Sequence, residues 1–110
     1  MIVTTTNSVE GYSIDGYLQI VAGETVVGMN AIKDFAAGFR DVLGGRSASY
    51  EQELVNARQQ ATGEMMQRAA ALGAHAVVGV QVDYLTLGSS NTMVMVSVTG
   101  TAVTLREAAA

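Results

Sequence analysis

The chain has 110 residues, with 12 Gly, one His and no Pro, Cys or Trp. That length makes one domain, large enough for its own core, and the absence of Cys excludes disulfides and thiolate metal sites. Net charge is −4, and the six cationic residues, Lys33, Arg40, Arg46, Arg58, Arg68 and Arg106, are scattered, which argues against nucleic-acid binding because neutralising phosphates takes several cations together.

Charged residues make up 15% of the chain, against about 25% in a typical domain, and apolar residues reach 49%. Small domains have much surface per residue, so this poverty of charge predicts a homo-oligomer that hides part of its exterior. No basic residue precedes Lys33, and no apolar run approaches the ~18 residues of a membrane span. The expectation is a soluble, unprocessed, cytoplasmic protein with no membrane and no nucleic-acid partner.

In chain order, residues 1–6 are β-branched and predict a short strand, followed by turn residues Asn7, Ser8, Gly11 and Gly16. Residues 17–22 alternate as a strand. Gly23 interrupts before extended character resumes over residues 24–29, and a lone Gly in such a pattern predicts a bulge or bend. Asn30 starts a first helix whose apolar stripe is Ile32, Phe35, Ala36, Phe39 and Val42/Leu43, ended by Gly44 and Gly45.

A second, longer helix follows. Ser49 and Gln52 have capping-box spacing, and Tyr50, Leu54, Ala57, Ala61, Met65, Ala69 and Leu72 form one face. Gly73 stands where a left-handed C-cap belongs. Beside that face runs a narrower stripe of Val55, Thr62, Met66 and Ala70, which predicts a contact with a neighbouring subunit.

Two further strands, residues 76–87 and 92–105, read as a hairpin around Gly88, Ser89, Ser90 and Asn91. Matched register would place Val78, Val80, Val82, Val94, Val96 and Val98 under the helix. The opposite face would carry Gln81, Asp83, Met93, Met95, Ser97 and Thr99, and two methionines there again suggest a subunit contact.

Nucleophilic catalysis has little support: there is no Cys and no Gly-x-Ser-x-Gly. The thioethers of Met29, Met65, Met66, Met93 and Met95 are potential Cu(I) ligands, although methionine more often fills gaps in a core. His75, just after a helix end, reads as a cation on the helix dipole. A ring of subunits, however, turns one acid per chain into a ring of carboxylates able to hold a divalent metal ion. Asp83 and Glu24 are the candidates. Gly44-Gly45-Arg46-Ser47, before the long helix, predicts an alternative anion site of backbone amides with a guanidinium alongside, or simply a turn and cap with Arg46 paired to Asp41 or Glu51.

The order Gly23-Glu24, Gly28-x-Asn30, Asp34, Asp41-x-x-Gly44-Gly45-Arg46-Ser47, Tyr50-Glu51-x-x-Leu54, Ala57-Arg58, Leu72-Gly73-Ala74-x-Ala76-Val77-Val78-Gly79-Val80, Asp83-Tyr84 and Gly100-Thr101-Ala102-Val103 resembles the YbjQ-like family across almost the whole chain. Its bacterial members are described, without an established role, as heavy-metal-binding. The resemblance implies an α+β fold: a two-layer sandwich of a mainly antiparallel sheet with one long and one shorter helix, similar to the dodecin subunit and assembled as a ring of five. The combined expectation is a single domain over residues 1–110 in a non-enzymatic homopentamer. Glu24, Asp34 and Asp83 are its metal candidates, and Gly45, Arg46, Ser47 and Glu51 its ligand-binding candidates. The alternatives are a small-molecule or anion-binding ring and a partner-binding scaffold.

Overall fold

The computed structural model describes residues 1–28, 48–87 and 93–109. The elements are β1 (Ile2–Val3), β2 (Tyr12–Gly28), α1 (Ala48–Ala71), β3 (Ala76–Leu87) and β4 (Met93–Glu107). The strands form one sheet in the order β1-β3-β4-β2, parallel between β1 and β3 and antiparallel elsewhere. Since β2 and β3 both run antiparallel to β4, they are parallel to each other. Their connection is therefore a crossover carrying α1, and the β3–β4 hairpin places β4 between them, a split β-α-β arrangement. Among the described residues no helix is long and apolar enough to cross a membrane.

Alternation along β4 divides the sheet into two faces. Val98 and Ala102 join Val21 of β2, Val77 of β3 and Ala61, Met65 and Ala69 of α1 in one buried cluster. The helical part of this set repeats at i+4, continues N-terminally to buried Ala57, and follows the predicted stripe. Leu72 departs from it at 41% exposure, since the helix ends before reaching it. Behind the sheet, Ala76, Val78 and Val103 form a second cluster, with Val9, Ile14 and Leu105 packed on it.

Val78 is thus on the wrong side for the six-valine expectation. The β3–β4 register shifts between Val78 and Gln81, at a bulge where Gly79 takes φ +63°, so Val77 faces α1 before the bulge and Val80 and Val82 after it. The N-terminal segment completes the bulge: Gly79 N–H donates to Thr6 O (2.9 Å) and Val80 N–H to Thr4 O (3.1 Å).

The predicted bulge at Gly23 is not there either. β2 pairs with β4 without a shift from Gln19 to Gly28, and its irregularities lie between Ile14 and Gly16 and between Tyr17 and Gln19. Gly16, read as a turn, is inside the strand. Gly23 serves a different need, close packing: a Cβ there would collide with the Ala61 carbonyl and lie 2.9 Å from Met65 N. Backbone of β2 and backbone of α1 are in contact at this point.

The ends of α1 also refine the expectation. The helix begins at Ala48, so Ser49 lies inside its first turn rather than at the cap. At the other end, Gly73 adopts φ +81°, with Gly73 N–H donating to Ala70 O (3.0 Å) and Ala74 N–H to Ala69 O (3.1 Å), the paired bonds of a Schellman cap. The shorter first helix predicted over residues 30–43 and the loop residues 88–92 lie outside the described residues.

Arg68 fastens the helix to the strand. Its guanidinium donates to Ala22 O at 2.6 Å and pairs with Glu64 at 2.7 Å. Both side chains are well exposed, so the ion pair contributes about 0.5 kcal/mol or less, whereas the charge-assisted bond to a strand carbonyl is worth about 1 kcal/mol. Arg68→Ala is accordingly expected to cost about 1.5 kcal/mol in urea unfolding, and Glu64→Gln no more than about 0.5 kcal/mol. Equal losses for the two variants would show that the Ala22 contact contributes nothing.

Candidate functional site

The face of the sheet away from α1 carries the odd-numbered residues of β4, and its rows follow from the pairing. Ser97 pairs with Glu24 on one side and with Asp83 on the other. Directly paired residues project to the same face, so these three side chains form a cross-strand row. With strands about 4.8 Å apart, the Cα atoms of Glu24 and Asp83 stand roughly 10 Å apart, astride Ser97. Both acids are exposed and Ser97 is half-buried. Gln81, two residues from Asp83 along β3 and on the same face, donates its amide to both carboxylate oxygens at 3.3 and 3.4 Å.

The rows beyond are apolar. Met95 pairs with Val26 and Leu85, and Met93 with Gly28 and Leu87. Val26 is 52% exposed, Leu85 48% and Met93 39%, so a contiguous hydrophobic patch borders the acids. Toward the opposite end the face becomes polar, with Thr99 between Ala22 and Gln81. It then passes into the second cluster, which Val9 covers.

Two of the three predicted metal residues are therefore brought together in one row. Asp34 lies outside the described residues, as do Gly45, Arg46 and Ser47 of the anion alternative. Glu51 sits exposed in the first turn of α1, where an acid favours the helix dipole. The sequence marks Ser97 only as a member of the polar face, and its place between two acids emerges from the pairing of three strands.

His75 does not act as the predicted cation. Its Nδ1 accepts the Leu105 N–H at 2.8 Å, while the His75 backbone N–H donates to Val103 O at 2.9 Å. An accepting Nδ1 carries no proton, so the neutral ring keeps its proton on Nε2. With one nitrogen bonded and the other protonated, the sole imidazole of the chain offers no lone pair to a metal. Among the described residues no three of His, Cys, Asp or Glu come together. With no thiolate in the chain and its one imidazole occupied, the soft donors left on this face are the Met93 and Met95 thioethers, which border the row. The Glu24, Ser97 and Asp83 side chains carry oxygen, the donor type that hard divalent cations take.

Comparison with known proteins agrees with the fold and narrows the family. The sequence profile of the YbjQ family, described as "putative heavy-metal-binding", matches residues 1–106. A UPF0145 protein of Corynebacterium jeikeium is 59% identical over 106 residues, covering 96% of this chain and 100% of that protein. Another UPF0145 protein, from Bifidobacterium longum, is 55% identical over 109 residues, 99% of each. Among solved structures, a DUF74-family protein of unknown function from Pediococcus pentosaceus aligns over 96% of this chain and 98% of its own, with a TM-score of 0.56 at 15% identity, a likeness of fold.

Proposed function

The chain belongs to the YbjQ (UPF0145) family, and on that premise we propose that it is a non-enzymatic homo-oligomer, a ring of five, that binds a hard divalent cation through the Glu24–Ser97–Asp83 row. The alignment of two carboxylates on either side of one hydroxyl carries this reading. One chain supplies fewer oxygens than the six to eight that a Ca²⁺-like ion takes, so water and equivalent acids of neighbouring subunits complete the shell. The adjacent Val26, Met95 and Leu85 row supports a subunit contact next to the acids, as do the half-buried Val55, Thr62 and Met66 of α1. A low charge content of 15% supports the same assembly.

The oxygen donors of the row favour, in this chain, ions of the Mn²⁺ and Ca²⁺ kind over Cu⁺ or Hg²⁺. Calorimetric titration with Mn²⁺ tests it. Wild type is expected to bind saturably, and the Glu24→Gln/Asp83→Asn double variant to bind at least tenfold more weakly, because removal of both charges leaves only neutral oxygens. Undiminished Mn²⁺ binding by the double variant would remove the row from the site.

A further inference from the structure

We propose that a second site, at the opposite end of the sheet, binds a small organic monocarboxylate with an apolar or aromatic body. The site is the groove lined by Ile2, Tyr12, His75, Leu105, Arg106 and Glu107, about 360 Å³ in volume. From Ser97 to Leu105 is eight residues of β4, or about 27 Å, so the groove is separate from the acidic row.

Its polar groups are set by the backbone. The Leu105 N–H on His75 Nδ1 and the His75 N–H on Val103 O hold both the ring and the main chain that carries it. The Nε2–H is thereby a prepared donor rather than one tautomer of two. Arg106, the next residue along β4, also lines the groove, and among the described residues neither its guanidinium nor Nε2 has a hydrogen-bond or ion-pair partner. Both residues line the groove, and an imidazole N–H and a guanidinium are the donor types that take a carboxylate.

The remaining walls choose the class of anion. Ile2, Tyr12 and Leu105 offer apolar surface, with Ile2 41% and Tyr12 45% exposed, enough to cover a ring or short chain. Glu107, which also lines the groove, repels a multiply charged ion such as phosphate more than a monoanion, whose single charge goes to Arg106 and whose body lies against the apolar wall. The volume lies within the roughly 300–1,000 Å³ usual for small-ligand sites.

Because His75 is the sole histidine, its ring nitrogens give isolated signals in a long-range ¹H–¹⁵N spectrum without further assignment. Titration with benzoate, with inorganic phosphate as the comparison, is expected to move the Nε2 signal along a saturating curve at millimolar concentration while the Nε2-protonated pattern persists. Phosphate is expected to move it little, and Arg106→Gln to weaken benzoate binding at least fivefold. Arg58→Gln, on the exposed side of α1, is expected to leave benzoate binding unchanged. A non-saturating response, a phosphate response as large as that of benzoate, or benzoate binding indifferent to Arg106→Gln would overturn the proposal.

Discussion

Gly23→Ala is expected to lower the unfolding free energy by about 3 kcal/mol, the upper end of what overpacking costs, because the added Cβ meets main-chain atoms. The Ala61 carbonyl and Met65 N belong to the middle of α1 and have no rotamer to change, so the whole helix must lift from β2. Lifting it also loosens buried Val21, Ala61 and Met65, which share the cluster at that contact. With a urea m-value near 1.5 kcal/mol/M, the midpoint falls by roughly 2 M. A midpoint within 0.3 M of wild type would mean that helix and strand are not in backbone contact at Gly23.

Met65→Ala is expected to cost about 3–4 kcal/mol, and Met66→Ala about 1 kcal/mol, although the two are adjacent and identical. Met65 is fully buried between α1 and the sheet, so truncation leaves a cavity lined by Val21, Val77 and Val98. Met66 points a quarter-turn away and is half-buried on the chain alone. The Met66 variant therefore keeps the fold of the chain and, where that stripe meets a neighbour, weakens assembly instead. Chemical denaturation reads the first effect and sedimentation at micromolar concentration the second. Equal losses of stability at both positions would contradict the assignment of the two stripes.

The helix, the hairpin and the face that α1 buries could be read from local pattern, since Ala57, Ala61, Met65 and Ala69 recur at the spacing of a helix face and Gly73 ends it as a left-handed cap. What local pattern could not supply was register. Gly79 inserts a bulge that transfers Val78 to the other face. Its extra backbone groups are satisfied by Thr4 and Thr6, more than 70 residues away in sequence, so nothing near position 79 announces it. Gly23 gave a true signal with the wrong cause: a glycine within a strand marks either a bulge or a close approach, and the helix that approaches it is almost 40 residues downstream.

The candidate site was legible in its acids and not in its assembly. Glu24 and Asp83 are each acids on strand-like segments, but a four-residue turn over Gly88–Asn91 sets Leu87 opposite Thr92 and hence Asp83 opposite Val96, whereas Leu87 pairs with Met93 and Asp83 with Ser97. Bringing Glu24 to the same row requires the pairing of β2 with β4, across a register altered by two irregularities in β2. His75 differs from its expected role for a similar reason. Its position after a helix end suggests a cation on the dipole, but the group that decides its state is the backbone N–H of Leu105, 30 residues away on β4.

The central claim is that subunits assemble so that Glu24 and Asp83 hold a divalent ion between an apolar contact and a polar strip. Native mass spectrometry of untagged protein, purified without chelator and exchanged into Mn²⁺, measures subunit number and bound mass together. The account predicts a closed oligomer of five subunits carrying stoichiometric Mn²⁺, and the same oligomer stripped of metal for the Glu24→Gln/Asp83→Asn variant. A monomer, or an oligomer whose Mn²⁺ content is the same in wild type and variant, would contradict it.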